Sequence, residues 1–419
     1  MRLSGTKTGA ANQYRGLGDQ LWDLGGSRPS LDLQFADRKD LVDATTGSNL
    51  VDFTRASSGT YVGSDGLIKT ATTNAPRFDH DPTTGESLGL LREESRTNLL
   101  QRTEEFDNNY WVKASSSTVT PYAGASPDGL TTAETYTTTG AGQSIYNGAG
   151  ITVTTGAVYT FSVYVKLGTM SAAEYRIAVY DLSNSAFIAV DIAPTIAPTA
   201  SSWSRVTYTF TTPAGCTSVR VYPFRNSSAI TSSTVHLWGA QLEEGSFPTS
   251  YIPTTDSTVT RAADVASISG SNFSSWYRQD EGTVFVDANG QGSNVPLSDF
   301  HSLAAFSDGT NNTRIELGYM TAGSAYWNLR VSGSSSTNLS PSTSDIRRKL
   351  AGSFDSSIAQ ATANGDTVLT DASVVIPTVN KLDIGGLNNT DIKEFSGTIR
   401  RLVYWGQRLP DSTLVNITT

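Results

Sequence analysis

Three histidines, a few adjacent carboxylates and one cysteine are the residues with which this chain could do covalent chemistry. His80, His236 and His301 stand far apart in sequence. A Ser-His-Asp triad needs only spatial proximity, but no Gly-x-Ser-x-Gly elbow or comparable nucleophile signature accompanies them. His236 alternates with Val235 and Leu237 in a strand pattern, and His80 stands between Asp79 and Asp81 in a stretch rich in turn formers, so both positions suit structural roles. Glycoside cleavage requires two carboxylates flanking one bond. Glu93-Glu94, Glu104-Glu105 and Glu243-Glu244 are adjacent pairs, but neighbours in a strand point to opposite faces and cannot both reach that bond; solvated edges account for them. Cys216 alone cannot make an intramolecular disulfide, and no cluster has metal-ligand spacing. Gly385-Gly386 lacks the lysine and spacing of a phosphate loop. No catalytic residue, metal or cofactor is expected.

Recognition without catalysis is better provided for. A sugar offers an apolar ring face to an aromatic side chain and hydroxyls to amides and carboxylates. Towards the C-terminus, Asp308-Gly309-Thr310-Asn311-Asn312 reads as a loop, and Tyr326-Trp327 follows a Gly-Ser stretch. Asp308, Asn311, Asn312, Tyr326 and Trp327 are therefore the candidate carbohydrate-binding residues. Trp327 has a second reading, as an inward core ring of its strand. Trp111, Trp203, Trp238 and Trp405 sit in strand patterns and are expected in cores.

The elements that must position these groups are strands. Charged residues are only 16% of the chain, and apolar residues, at 37%, suffice for thin sandwich cores. Thr, Val, Tyr and Phe favour strands, and helical periodicity is nearly absent. At 419 residues the chain is too long for one ordinary β domain. The pattern predicts an all-β protein, a small N-terminal β module followed by two antiparallel β-sandwich (jelly-roll) domains. Residues 1–29 are polar and Gly-rich, with Leu21, Trp22 and Leu24 as apolar points suited to anchoring on a partner. Residues 30–100 contain short strands, among them alternating Leu31, Leu33 and Phe35, and a hairpin at Gly63-Ser64-Asp65-Gly66. Residues 101–260 hold longer alternating strands such as Tyr159–Lys166 and Trp203–Phe210, as expected of a jelly roll. A Pro/Thr/Ser linker then leads to a second sandwich over 265–419, with a hairpin signal at Asn364-Gly365-Asp366.

Net charge is −9, and the tightest basic cluster, Arg347-Arg348-Lys349, suits an ordinary turn; nucleic-acid binding is not expected. No run approaches the roughly 18 apolar residues of a membrane span, so no membrane insertion is expected. No apolar segment follows the basic start in the manner of a signal peptide.

Several strings are specific. Phe53-Thr54-Arg55-Ala56-Ser57, Thr60-Tyr61-Val62, Asp65-Gly66-Leu67-Ile68, Asn74-Ala75-Pro76-Arg77-Phe78-Asp79-His80 and Gly89-Leu90-Leu91-Arg92-Glu93-Glu94-Ser95-Arg96-Thr97-Asn98-Leu99-Leu100 together resemble a module frequent in tailed-bacteriophage structural proteins of fibre or spike type. There it precedes a carbohydrate-binding-like jelly roll, and Trp238-Gly239-Ala240-Gln241-Leu242-Glu243-Glu244-Gly245 with Pro248-Thr249-Ser250-Tyr251-Ile252-Pro253-Thr254 resembles the end of one. Lys349-Leu350-Ala351-Gly352-Ser353-Phe354, Leu382-Asp383-Ile384-Gly385-Gly386 and Phe395–Trp405 are similar to laminin-G or concanavalin-A-like sandwiches, without the acidic cluster that binds calcium in many of them. The resemblance implies a non-enzymatic virion protein, made in the host cytoplasm, at the tail or baseplate. Its implied partners are a host cell-surface polysaccharide and, through residues 1–29, other virion proteins; a homotrimer is implied as well. The alternatives are a capsid decoration or head-fibre protein without a receptor role, and a glycan-cleaving tail enzyme.

Overall fold

The computed structural model describes residues 21, 27–228, 232–290, 300–320, 324–342, 347–387 and 394–419. Strands make up 48% of the protein and helices 5%, so it is all-β as expected.

Two sheets enclose the larger core. One runs in the order Leu369–Asp371, Ala359–Ala363, Arg347–Phe354, Gly282–Gly290, Gly397–Trp405, Ser87–Arg92 and Arg77–His80, with Leu31–Leu33 also paired to Gly397–Trp405. The other runs Asp52–Thr54, Val265–Ser269, Lys381–Ile384, Phe300–Ser307, Arg314–Met320, Ser324–Val331 and Ser334–Leu339. Between them Leu31, Leu33, Phe35 and Leu90 pack with Val284, Val286, Trp327, Ile384 and Leu402. On the outer face of the first sheet, Phe285, Ala351, Val403 and Trp405 pack beneath Leu414 and Ile417 of the C-terminal helix Asp411–Thr418.

Residues 30–100 therefore do not close a module of their own. Their strands are three to six residues long, too short to bury a core alone; Leu31–Leu33, Asp52–Thr54, Arg77–His80 and Ser87–Arg92 complete the sheets of the C-terminal sandwich, while Gly59–Val62 and Ile68–Ala71 form a separate hairpin. The expected alternation through Phe35 also ends early, because Phe35 opens the short helix Phe35–Arg38. Both hairpin signals fold as turns: Gly66 takes φ +75°, and Asn364 and Gly365 both take positive φ. Gly89 is required by a close approach. At φ +97°, a Cβ there would meet the Ile399 carbonyl oxygen at 2.1 Å.

The jelly roll is inserted into this sandwich through a neck in which Arg96–Asn98 pairs with Val259–Arg261. Its five-stranded sheet runs Ser204–Thr211, Val158–Leu167, Ser233–Glu244, Ala133–Thr138 and Thr118–Gly124. Facing it are a four-stranded sheet (Ile151–Thr152, Ser218–Tyr222, Ile177–Asp181, Ala186–Ile192) and a three-stranded one (Phe224–Arg225, Ser144–Asn147, Trp111–Lys113). The Asn147 side chain joins these two by accepting from the Val221 N–H at 2.8 Å. Alternate residues of the long strands, Phe161, Val163 and Val165 against Val179, Val219 and Val221, form the second core.

A buried ion cluster fixes the junction. Arg55 Nη1 donates to Asp264 Oδ1 at 3.0 Å, Arg77 Nη2 to Asp264 Oδ2 at 2.5 Å, and Arg77 Nη1 lies 2.8 Å from Glu93 Oε2, with all four side chains fully buried. Arg261 Nε lies 3.4 Å from Glu93, and Ser250 donates to the same carboxylate through its N–H at 2.6 Å and its hydroxyl at 2.7 Å. Glu93 precedes the inserted domain and Ser250 follows it, so one carboxylate ties the outgoing and returning chain together. A hydrophobic seam of Ile68, Trp238 and Tyr251 lies alongside.

Two consequences are measurable. Asp264→Ala leaves Arg55 and Arg77 buried without their shared partner, and should lower the urea unfolding free energy by about 3–5 kcal/mol. Burial alone would raise the Glu93 carboxyl, but Arg261, Arg77 and the Ser250 hydrogen bonds outweigh it and bring it from 4.5 down to about 2. A folded value below the unfolded one means that this stabilisation is complete above pH 4.5 and is lost as pH falls through about 2. Between these limits the melting temperature of the parent should fall more steeply than that of Glu93→Gln, which is already destabilised at neutral pH.

Candidate functional site

The outer face of the four-stranded sheet carries an aromatic platform. On Ser218–Tyr222, Val219 and Val221 point into the core, so Arg220 and Tyr222 point out. The same parity on Ile177–Asp181 turns Tyr180 outward, opposite Arg220 in register, and Phe187 stands opposite Tyr180 on the next strand. Tyr146 joins from Ser144–Asn147, whose Ile145 faces the core. The rings form a continuous run, with centroids 4.9 Å apart for Tyr146–Tyr222, 5.9 Å for Tyr222–Phe187 and 4.8 Å for Phe187–Tyr180. Phe187 is 38% exposed, and the neighbouring Val190 is exposed too; Tyr146 and Tyr180 are half-buried, and Tyr222 is buried among them. Arg225 lies 4.4 Å from the Phe187 centroid and Arg220 5.3 Å from that of Tyr146. A surface that presents ring faces edged by phenol hydroxyls and guanidinium groups matches the amphipathic surface of a saccharide.

The opposite sheet offers no such surface. Its outward residues Tyr164 and Trp238 are covered by Tyr251 and Ile68 at the junction, and Arg205 donates to the Thr249 carbonyl there.

The expected sugar-binding residues of the C-terminal sandwich are not brought together. Trp327 is fully buried in the larger core beside Phe354, and Gly352 makes room for it: a Cβ there would lie 2.4 Å from the indole. Tyr326 is also buried, and its hydroxyl donates to Glu316 at 2.8 Å. Both rings sit in an interior strand covered on its two faces, where no sugar can stack. Asp308 caps its own turn, accepting from the Thr310 N–H at 2.8 Å and its hydroxyl at 2.7 Å. These hydrogen bonds hold the Asp308 carboxyl below its ordinary value against the opposing effect of desolvation. Asn311 accepts from Arg314 through its carbonyl, and the Asn312 carbonyl accepts from the Gly333 N–H at 2.9 Å. These three residues form a surface turn without an exposed ring from Tyr326 or Trp327. Of the expected anchors, Leu21 packs against the cluster beneath the C-terminal helix, engaged within its own chain; Trp22 and Leu24 lie outside the described residues.

The residues considered for catalysis take structural positions. His80 Nδ1 lies 3.0 Å from the Val62 carbonyl and His236 Nδ1 2.8 Å from the Thr135 hydroxyl. The carboxylate pairs are not solvated edges throughout: Glu93 and Glu243 are buried, the latter accepting from the Thr249 N–H at 3.0 Å. A cleft of about 970 Å³ between the two sandwiches is lined by Glu94, Arg96, Tyr159, Glu244, His301 and Glu394, among others. Each carboxylate there has a partner: Glu94 accepts from Arg96 Nε at 2.8 Å, Glu244 from the Tyr159 hydroxyl at 3.2 Å, and Glu394 lies 3.7 Å from Arg92. Among the described residues no group of three or more His, Cys, Asp or Glu could hold a metal ion, and no helix is long and apolar enough to cross a membrane.

The platform was missed because its rings come from four separate strands with no shared motif. Alternation alone could have flagged it: Tyr180 and Tyr222 are large aromatic residues out of phase with the valines of their own strands.

The carbohydrate binding domain family matches residues 102–228, the part of the chain that bears the platform. No curated protein matches the chain. Similar solved structures include the Ruminococcus gnavus IT-sialidase CBM40 bound to alpha2,3 sialyllactose, at 20% identity and a TM-score of 0.29, covering 34% of this chain and 84% of that one. Others are the NanB sialidase of Streptococcus pneumoniae, at 14% identity and 0.31, covering 36% and 26%, and an SAP-like pentraxin of Limulus polyphemus, at 14% and 0.27, covering 33% and 70%. The residues that match the carbohydrate binding domain model thus lie in a β-sandwich inserted into a second sandwich.

Two substitutions separate surface from core. Phe187→Ala should leave thermal unfolding nearly unchanged. Trp327→Ala should cost about 3–5 kcal/mol, as expected when a fully buried large ring is removed, and should show in a denaturant titration.

Proposed function

We propose that this protein is a non-enzymatic component of a tailed-phage particle, a fibre or spike at the tail or baseplate that binds a host surface glycan through the aromatic platform of its inserted jelly roll. The observation that carries the proposal is the run of four rings, Tyr146, Tyr222, Phe187 and Tyr180, on the outward face of the carbohydrate-binding domain. Its expected location in a virion rests on the resemblance of residues 53–100 and 238–254 to phage structural modules.

A flat platform holds sugar rings by stacking and hydroxyl contacts, so each site is weak. A homotrimer would present three, and linked sites gain avidity without new contacts. In this proposal the C-terminal sandwich is the scaffold that carries the inserted domain through its ion cluster and neck. The receptor-binding role therefore moves from residues 308–327 to the inserted domain.

The test is adsorption. Purified full-length protein should bind host cells and compete with phage for them, and the host polysaccharide should be recovered at its original length. Phe187→Ala and Tyr146→Ala should each weaken cell binding about five- to hundredfold, as expected when a stacking contact of about 1–3 kcal/mol is lost. Undiminished binding by both variants would remove the platform from the function, and release of short oligosaccharides would replace binding with cleavage.

A further inference from the structure

The platform is not electrically neutral. Arg225 is compensated by an ion pair with Asp191. Arg220, at the centre of the surface between Tyr146 and Tyr180, has no such partner among the described residues. Its Nη2 donates to the Gly148 carbonyl at 2.8 Å, and its guanidinium lies over the Tyr146 ring. In a chain of net charge −9, an arginine on the putting-down face of a ligand and without a carboxylate is a specific feature of that face.

We propose that the platform selects saccharides carrying an anionic group, which pairs with Arg220 while the sugar ring stacks on the exposed Phe187. The inference rests on the platform being the glycan-binding surface and adds the class of glycan. The physical reason is desolvation. A neutral sugar laid on Phe187 beside Arg220 would strip water from a guanidinium and leave its charge unmatched, which is unfavourable. An acidic sugar supplies the missing counter-charge, and its hydrogen bond to Arg220 is charge-assisted. A cationic amino sugar would be repelled. The tyrosine hydroxyls of 146, 180 and 222 remain to bond ring hydroxyls, so the anion decides the class and the phenols the fit. The cleft between the sandwiches, lined by Glu94, Glu244 and Glu394 with Arg96, has the opposite balance of charge and does not compete for such a ligand.

The experiment uses full-length protein on immobilised pairs that differ in charge: trigalacturonate against its methyl ester, and sialyllactose against lactose. A sulfated disaccharide against its unsulfated parent distinguishes a carboxylate from a sulfate as the anion. The acidic member should bind at least about tenfold more tightly, in line with a charged hydrogen bond of 1.5–3 kcal/mol, and the preference should shrink as salt is raised. Arg220→Gln should abolish the preference, so that the acidic and neutral members of each pair bind alike. Arg220→Lys should keep part of it, and unchanged melting curves would show that both variants fold. Equal binding of acid and ester, a preference that survives Arg220→Gln, or no binding to any acidic probe would overturn the inference. Absence of an acid preference in the parent protein, with Phe187→Ala defective in cell binding, would overturn the charge selection alone. Full binding by Phe187→Ala would overturn the platform reading beneath it.

Discussion

Asp264 and Glu93 hold the architecture together. Two carboxylates without access to water form ion pairs with Arg55, Arg77 and Arg261, and the residues involved come from chain segments separated by as many as 209 positions. Charges buried in this way are tolerated only when paired and hydrogen-bonded, so the cluster admits few geometries. Its contribution is best understood as specificity of arrangement: a hydrophobic junction could slide, whereas this one has fixed donors and acceptors. The return of the chain after the inserted domain is held at Ser250 by the same carboxylate that precedes the insertion.

That junction decides which face of the inserted domain can bind anything. The five-stranded sheet is turned towards the host sandwich, where Trp238 and Tyr164 are covered by Tyr251 and Ile68. The sheet of shorter strands is left facing outward, with Phe187 exposed and Tyr180 half-exposed. A binding surface on a short-strand sheet needs a rigid base, and here it has one in the core valines of the same strands and in Asn147, which stitches the two smaller sheets together. Stability and recognition therefore use alternate residues of the same strands: Val219 and Val221 inward, Arg220 and Tyr222 outward.

The two sandwiches divide the aromatic residues differently. In the larger one, rings such as Trp276, Tyr277, Phe306 and Tyr404 stack on one another in the interior. In the inserted one, a second set of rings lies at the surface beside arginines. Tryptophan is the usual first guess for a sugar platform, yet here Trp111, Trp238, Trp327 and Trp405 are all buried, and the exposed surface is built from tyrosine and phenylalanine.

The amino-acid sequence by itself determined the all-β class, the long strands of the jelly roll and the turns at Gly63–Gly66 and Asn364-Gly365, because period-two alternation and positive-φ residues act locally. It also marked Arg55, Arg77, Arg92 and Glu93 as parts of specific strings, without indicating that they meet. Only the tertiary structure decided that residues 30–100 belong to the C-terminal sandwich, since strand pairing across more than 300 residues, as between Leu31 and Tyr404, leaves no local trace. It likewise decided the fate of the aromatic residues. Alternation says that Trp327 and Tyr180 each face one side of a sheet, but whether that side meets another sheet or water depends on what the rest of the chain lays over it. Trp327 is covered and Phe187 is exposed, and that difference of packing, rather than of residue type, is what the proposed binding surface rests on.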